Sequence, residues 1–165
     1  MTTLKKEFLD ILSNYQGILH KVNLIYFRNE NDRKDNFQEI VYQLWKSFPD
    51  LKNRNSIGSW IYAVSINTSI SKLKKDQRLE YHAKLSEPVD GTDIFEKITS
   101  NENLQLLIDA IYQLDEVDKP IMLLYLEEKS YDEIAEILGI SQSKVGVRIN
   151  RAKEKLRKQL KQFEQ

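Results

Sequence analysis

The stretch from Ser130 to Leu160, SYDEIAEILGISQSKVGVRINRAKEKLRKQL, constrains the fold of this chain more than any other. Ser130 stands three residues before Glu133, the spacing of a capping box that opens a helix. Ile134, Ile137 and Leu138 then recur at helical intervals. Gly139 closes that helix, because glycine accepts the left-handed conformation that a helix end often needs. Ser141 is placed to cap a second, longer helix. Two helices joined by a tight glycine turn, the second one basic, predict a DNA-binding helix-turn-helix. At about 100° per residue, Val145, Ile149, Ala152 and Leu156 share one side of the second helix and predict its inward face. Ser143, Lys144, Val147, Asn150 and Arg151 are centred opposite them, flanked by Arg148 and Lys155. That face suits a major groove, where Arg pairs bidentately with guanine and Asn with adenine.

With 165 residues, the chain has room for one ordinary domain or two small ones, and 41% hydrophobic residues are enough for folded cores. The absence of cysteine excludes a disulfide framework and thiolate zinc sites, and fits a reducing cytoplasm. The start, MTTLKKEFLDILSNY, lacks the apolar core of a signal peptide, and no run reaches the length of a membrane span. A cytoplasmic protein without membrane insertion is expected. The zero net charge is a sum of opposed blocks. Residues 1–85 hold 14 Lys/Arg against 9 Asp/Glu, residues 86–140 hold 3 against 14, and residues 141–165 hold 8 against 2. Two basic blocks around an acidic one suggest two nucleic-acid contacts joined by a segment that repels nucleic acid.

Upstream, Phe8, Ile11, Leu12, Tyr15, Ile18, Leu19, Val22 and Ile25 predict a helix from Leu4 to about Phe27. A polar turn is expected over Asn29 to Lys34. A second helix follows from about Asp35 to Phe48, with Phe37, Ile40, Val41, Leu44, Trp45 and Phe48 on its apolar side. A polar loop over Asp50 to Gly58 leads to a third helix from about Ser59, which becomes basic at Lys72, Lys74, Lys75 and Arg78. Residues 85–100 contain Pro88 and Gly91 and read as an acidic linker. Thr99 and Glu102 offer a further capping box, followed by an amphipathic helix carrying Leu104, Leu107, Ile108, Ile111 and Leu114. Pro120 suits the first turn of the next helix. No segment alternates like a strand. The reading is all-α: three or four helices over residues 1–84, a linker over 85–100, and four helices over 101–165.

These features resemble the extracytoplasmic-function (ECF) class of bacterial RNA polymerase sigma factors, over nearly the whole chain and in order. Asp35-Asn36-Phe37-Gln38-Glu39-Ile40-Val41 is similar to the family's D-x-x-Q-E-V-F helix. Ser59-Trp60-Ile61-Tyr62-Ala63-Val64-Ser65-Ile66-Asn67 is similar to its W-L-Y-x-I-A-x-N helix. Leu114 through Leu156 resembles its "LP…R…L…G-L-S-Y-x-E-I-A-x-I-L-G-I-P-x-G-T-V-x-S-R-L-x-R-A-R-x-x-L". Three motifs in one order are far more specific than any one of them.

The resemblance implies a region 2-like domain that binds core polymerase and the −10 element, and a region 4-like domain that reads the −35 element. Asp35, Gln38 and Glu39 would face the clamp helices of the β′ subunit, and the β flap would be a second polymerase contact. Trp60 and Asn67 would meet the melted −10 element, where single-stranded bases are held by stacking and by hydrogen bonds to their edges. The loop Lys52 to Ser59 would shape a pocket for a flipped base. Lys72, Lys74, Lys75 and Arg78 would hold phosphates. Gly146, Val147, Asn150 and Arg151 match the family's base contacts, with Lys144 and Arg148 for phosphates; the N–H groups of Gln142 and Ser143 suit a further phosphate. Lys144 replaces the usual Thr, Gly146 the usual Lys or Arg, and Val147 the usual Ser. Lys34 and Asn36 replace the common Glu and Leu. The acidic linker, with Glu87, Asp90, Asp93 and Glu96, would thread into the positive channel of the polymerase. An anti-sigma factor, often membrane-anchored in this family, is the implied inhibitor. Alone, the two domains are expected to pack together and hide their DNA faces.

Two other classes fit less well. A stand-alone helix-turn-helix regulator would need dimer symmetry or a ligand pocket, and the sequence displays neither. An enzyme would need a constellation that is missing. His20 and His82 are far apart, and no phosphate-binding glycine loop, H-E-x-x-H or G-x-S-x-G occurs. No catalytic residue, cofactor or metal is expected.

Overall fold

The computed structural model of the chain describes residues 2–82 and 102–163. Among these residues there are seven α-helices, two short 3-10 turns and no strand. In chain order they are α1 (Thr3–Tyr26), α2 (Glu30–Ser47), α3 (Ile57–His82), α4 (Glu102–Tyr112), α5 (Asp118–Leu126), α6 (Tyr131–Leu138) and α7 (Gln142–Phe163). The linker expected over residues 85–100, with its carboxylates, and Thr99 of the second capping box lie outside the described residues.

Local chemistry explains the boundaries. The Asn29 side chain accepts hydrogen bonds from the N–H groups of Asn31 (2.7 Å) and Asp32 (3.4 Å), so α2 starts at Glu30 rather than near Asp35. Asn is a strong N-cap, and Glu30 and Asp32 then meet the positive end of the helix dipole. The polar turn expected over Asn29 to Lys34 is therefore the first turn of a helix. The expected polar loop before α3 contracts to the 3-10 turns Phe48–Asp50 and Arg54–Ser56, and α3 begins at Ile57.

Helices α1, α2 and α3 form one lobe around Phe8, Leu19, Ile40, Leu44, Phe48 and Ile61. Trp45, expected among these, lies at the margin. It is 39% exposed, with its ring 5.1 Å from that of Phe8. Buried Asn36 donates to Asn23 Oδ1 (2.7 Å) and Ser69 Oγ (2.9 Å), a polar contact that ties α2 to α1 and α3. Helices α4 to α7 form the second lobe, in which α5 and α6 pack on α7.

The lobes share a core. One cluster runs from Val22, Ile25, Tyr26, Tyr62 and Ile66 of the first lobe into Ile111, Leu114, Ile121 and Ile134 of the second. Across this seam α1 packs on α4 and α5, and α3 packs on α6. The expected packing of the two halves is present. The expected concealment of both DNA faces is not, because the outer face of α7 stays exposed.

Two helix ends show the same backbone device with different residues. After α6, Gly139 adopts φ 67° and Ile140 N–H donates to Ala135 O at 3.1 Å. After α5, Glu128 adopts φ 62° while Glu128 N–H donates to Tyr125 O (3.0 Å) and Lys129 N–H to Leu124 O (3.1 Å). This is a Schellman arrangement, in which a residue with a Cβ is strained at the left-handed position. The family motif has glycine there. Glu128→Gly should raise unfolding free energy by up to about 1 kcal/mol. Urea denaturation checks this, and an unchanged or lower midpoint would contradict it.

Candidate nucleic-acid interface

The helix-turn-helix forms as its caps direct. Ser130 Oγ accepts from Glu133 N–H (3.1 Å) and donates to the Glu133 carboxylate (3.2 Å), while Ser141 Oγ accepts from Lys144 N–H (3.2 Å). Val145, Ile149, Ala152 and Leu156 are buried against α5 and α6. That burial fixes the rotation of α7 and turns Ser143, Lys144, Val147, Asn150 and Arg151 outward, all exposed, with Arg148 half-buried beside them. Val147 is 50% exposed, an apolar side chain amid cations. With Ser143, Lys144, Arg148 and Arg151 it lines a shallow concavity of about 310 Å³.

Two residues of the expected −35 set are placed differently from the rest. A Cβ at Gly146 would meet the Tyr131 ring at 3.5 Å, so a side chain there runs along α6. Lys155 Nζ lies 2.8 Å from the Asp118 carboxylate and 3.6 Å from that of Asp115. Its hydrogen bond to Asp118 raises its pKa. Burial alone would raise the Asp115 carboxyl, but the N–H groups of Asp118 and Val117, together with Lys155, outweigh burial and hold it below the usual range. Lys155 thus ties α7 to the start of α5.

On α3, Trp60, Asn67 and Lys74 recur every seven residues and Arg78 continues their stripe. Asn67, Lys74 and Arg78 are exposed. Trp60 is half-buried with its ring 6.2 Å from that of Phe48, and Arg54 of the preceding turn lies 4.2 Å above the same Phe48 ring. Lys75 is exposed to one side. Lys72 lies on another side of the helix and pairs with Asp76 at 3.5 Å. The structure therefore brings Trp60, Asn67, Lys74 and Arg78 onto one stripe and leaves Lys72 and Lys75 off it.

Asp35, Gln38 and Glu39 are exposed on α2, and Glu39 accepts from the Gln43 amide at 3.0 Å. The same face continues through Tyr42, 56% exposed, to Trp45. Tyr42, Trp45 and Gln38 join Leu9 and Lys5 of α1 around a groove of about 430 Å³. Sequence reasoning missed Tyr42 and assigned Trp45 to the core. The helical spacing from Asp35 through Gln38 to Tyr42 was the available signal. Asn36, a departure from the family pattern, points into the core and leaves this face unchanged. Lys34, the other departure, pairs with Glu30 at 3.2 Å.

Comparison with known proteins agrees with this layout. The family model for Sigma-70, region 4 matches residues 104–156, which hold α5, α6 and most of α4 and α7. The ECF RNA polymerase sigma factor SigW of Bacillus subtilis (strain 168) is 25% identical over 168 aligned residues, covering 93% of this chain and 89% of SigW. The ECF RNA polymerase sigma-E factor of Haemophilus influenzae is 27% identical over 162 residues, covering 91% of this chain and 85% of that one. Over nearly its whole length the chain is similar to ECF-class RNA polymerase sigma factors. The solved sigma factor RpoE of Bartonella quintana, in complex with the anti-sigma factor NepR, has the same fold. It matches with a TM-score of 0.69 at 18% identity, covering 95% of this chain and 96% of RpoE. No described helix of the chain is long and apolar enough to cross a membrane.

Gly146 costs α7 helix propensity, and the space around it accepts a methyl group at ordinary contact distance. Gly146→Ala should raise stability by up to about 1 kcal/mol and leave DNA affinity within about twofold, because the new methyl faces Tyr131. Chemical denaturation and promoter binding read the two effects separately, and a loss of stability would show that Tyr131 cannot accommodate it.

Proposed function

We propose that this sigma factor binds core RNA polymerase through Asp35, Gln38, Glu39 and the apolar continuation at Tyr42 and Trp45. The Trp60–Asn67–Lys74–Arg78 stripe of α3, with Lys75 at its side, then opens the −10 element. The outer face of α7 selects the −35 element through Ser143, Lys144, Val147, Arg148, Asn150 and Arg151. Gly146 and Lys155 shape and hold that helix, and Lys72 adds charge at the flank of α3. Residues 1–84 act as the polymerase and −10 unit, residues 101–165 as the −35 unit, and residues 85–100 as their connection. The chain performs no chemistry itself; it works in the cytoplasm, where core polymerase and promoter DNA are.

The observation that carries this reading is the coexistence of two unlike surfaces on one chain. The α7 face is basic and exposed, as a groove reader needs. The α2 face carries exposed aromatic residues beside carboxylates, the composition of a protein-binding patch. A stand-alone operator-binding regulator has no use for the second. An anti-sigma factor is the expected inhibitor, supported by the partner held in the Bartonella relative's structure.

Transcription by core polymerase and the purified chain on a random promoter library tests the reading. Defined start sites with a common upstream element are the expected result, and no chain-dependent RNA would refute it. In that assay Arg151→Ala should weaken promoter binding by about 1–3 kcal/mol and relax preference only in the upstream element. Asn67→Ala should leave upstream binding intact and slow duplex opening, read by the fluorescence of 2-aminopurine placed in the −10 element.

Val147 makes a sharper prediction. An exposed Val in the centre of a groove-reading face suits the 5-methyl group of thymine. Replacing thymines of the selected −35 element one at a time with deoxyuridine should weaken wild-type binding about fourfold at one position, the value of one buried methyl. Val147→Ser should be indifferent to the same replacement. Equal sensitivity of both proteins would remove Val147 from base recognition.

A further inference from the structure

Helix α7 is longer than a groove reader needs. Its 22 residues make a rod about 33 Å long at about 1.5 Å per residue. In a helix-turn-helix the N-terminal residues of the second helix contact the base edges. The positions assigned to bases end at Arg151, and about 18 Å of helix follows it.

The outer face continues along that second half without changing side. Lys144, Val147, Arg151, Glu154, Lys158 and Lys161 succeed one another at steps of three and four residues, which keeps them in one row on a helix. All six are exposed. On the opposite side, Leu156 is buried and Leu160 packs against the same cluster, so the second half is held in the same rotation as the first.

The cations of this half differ in what they touch. Lys153 Nζ lies 4.2 Å over the Tyr125 ring, and Lys155 is held by Asp118 and Asp115. Arg157 pairs with Glu154 at 2.9 Å, which neutralises the carboxylate that lies in the row. Lys158 and Lys161 make no ion pair among the described residues. The distal part of the row therefore presents the charges of these two lysines, uncompensated, to the outside.

Position decides what those charges can meet. Lys158 lies about 10 Å and Lys161 about 15 Å beyond Arg151 along the helix axis. The major groove winds around the duplex, whereas the helix is straight. A rod seated on base edges at one end rises toward the sugar-phosphate rim at the other. Long cationic side chains there meet backbone phosphates, which carry one negative charge per about 1.7 Å of duplex axis.

We propose that the distal half of α7 is a phosphate clamp: Lys158 and Lys161 grip the DNA backbone beside the −35 element, beyond the base pairs that Val147, Asn150 and Arg151 read. The proposal rests on the reading of α7 as the −35 helix. Contacts of this kind carry no sequence information; they set how the helix lies in the groove and add affinity that salt removes. The footprint of the second lobe then extends past the sequence it selects, on one side only.

The test uses the complex of core polymerase with the full-length chain, bound to a promoter selected from the random library. Lys158→Gln combined with Lys161→Gln should flatten the slope of log affinity against log salt by about 1.8, at about 0.9 per lost phosphate contact. At about 0.1 M salt it should weaken binding at least about tenfold and leave the preferred −35 sequence unchanged. Both side chains are exposed, so the fold does not depend on them. Glu154→Gln is a second variant of opposite sign: it removes a negative charge from the same row and should strengthen binding to every sequence alike. Neutral methylphosphonates, placed one at a time along both flanks of the −35 element, locate the contacts. Positions on one flank should weaken the wild-type complex and leave the double lysine variant indifferent. An unchanged salt slope, an altered −35 preference, or weaker association of the double variant with core polymerase in the absence of DNA would overturn the clamp. If Arg151→Ala weakens promoter binding and the lysine variant does not, the clamp alone fails; if neither does, the reading of α7 as the −35 helix fails with it.

Discussion

Helix α3 buries two of its sides in two different cores. Ile61 enters the cluster of the first lobe with Phe8, Leu19 and Ile40, while Tyr62 and Ile66 enter the cluster shared with the second lobe. What remains is a narrow third side holding Asn67, Lys74 and Arg78. A helix with two buried sides cannot rotate without exposing one of them, and the burial of even one such side chain contributes about 1.5–3 kcal/mol. The orientation of the exposed stripe follows from this double burial. So does the position of the second lobe, since α6 rests on the same helix.

The interior of the first lobe adds a polar constraint. Asn36 on α2 contacts Asn23 on α1 and Ser69 on α3, and Ser69 in turn donates to Ser65 O at 2.7 Å. Apolar packing tolerates sliding of one helix on another, whereas buried amide and hydroxyl groups require their partners at fixed positions. The contact therefore holds α2 in register with its neighbours, which keeps Asp35, Gln38 and Tyr42 together on the outer side. In the second lobe Lys155 acts similarly from the surface, joining α7 to the first turn of α5 through Asp118 and Asp115. The two lobes thus use polar contacts to position helices whose burial is apolar.

The order of helices, the caps at Ser130 and Ser141 and the left-handed turn at Gly139 were legible in the sequence. So was the inward face of α7. Each depends on residues within one or two turns of each other, and hydrogen bonds of that range are governed by local composition. The start of α2 was misplaced because a run of polar residues reads equally as a turn or as a solvated first turn, and only the Asn29 cap decides between them. Trp45 was assigned inward because periodicity locates the centre of an apolar face but not its margin. Lys155 read as a flank of the groove-reading face and Lys72 as a phosphate ligand because a sequence displays a charge without displaying its partner.

Amino-acid order alone thus determined that the chain is helical, that its last two helices form a helix-turn-helix, and which side of α7 meets solvent. These follow from a period of about 3.6 residues and from caps that act over a few positions. Tertiary structure alone decided which cations stay available, which flank of α3 is covered, and that the halves close on each other. Those outcomes depend on pairs such as Lys21 with Glu127 and Arg28 with Asp109, whose partners lie in different lobes. No local pattern encodes such a pair, because it exists only once the apolar cluster beneath it has brought the two lobes together.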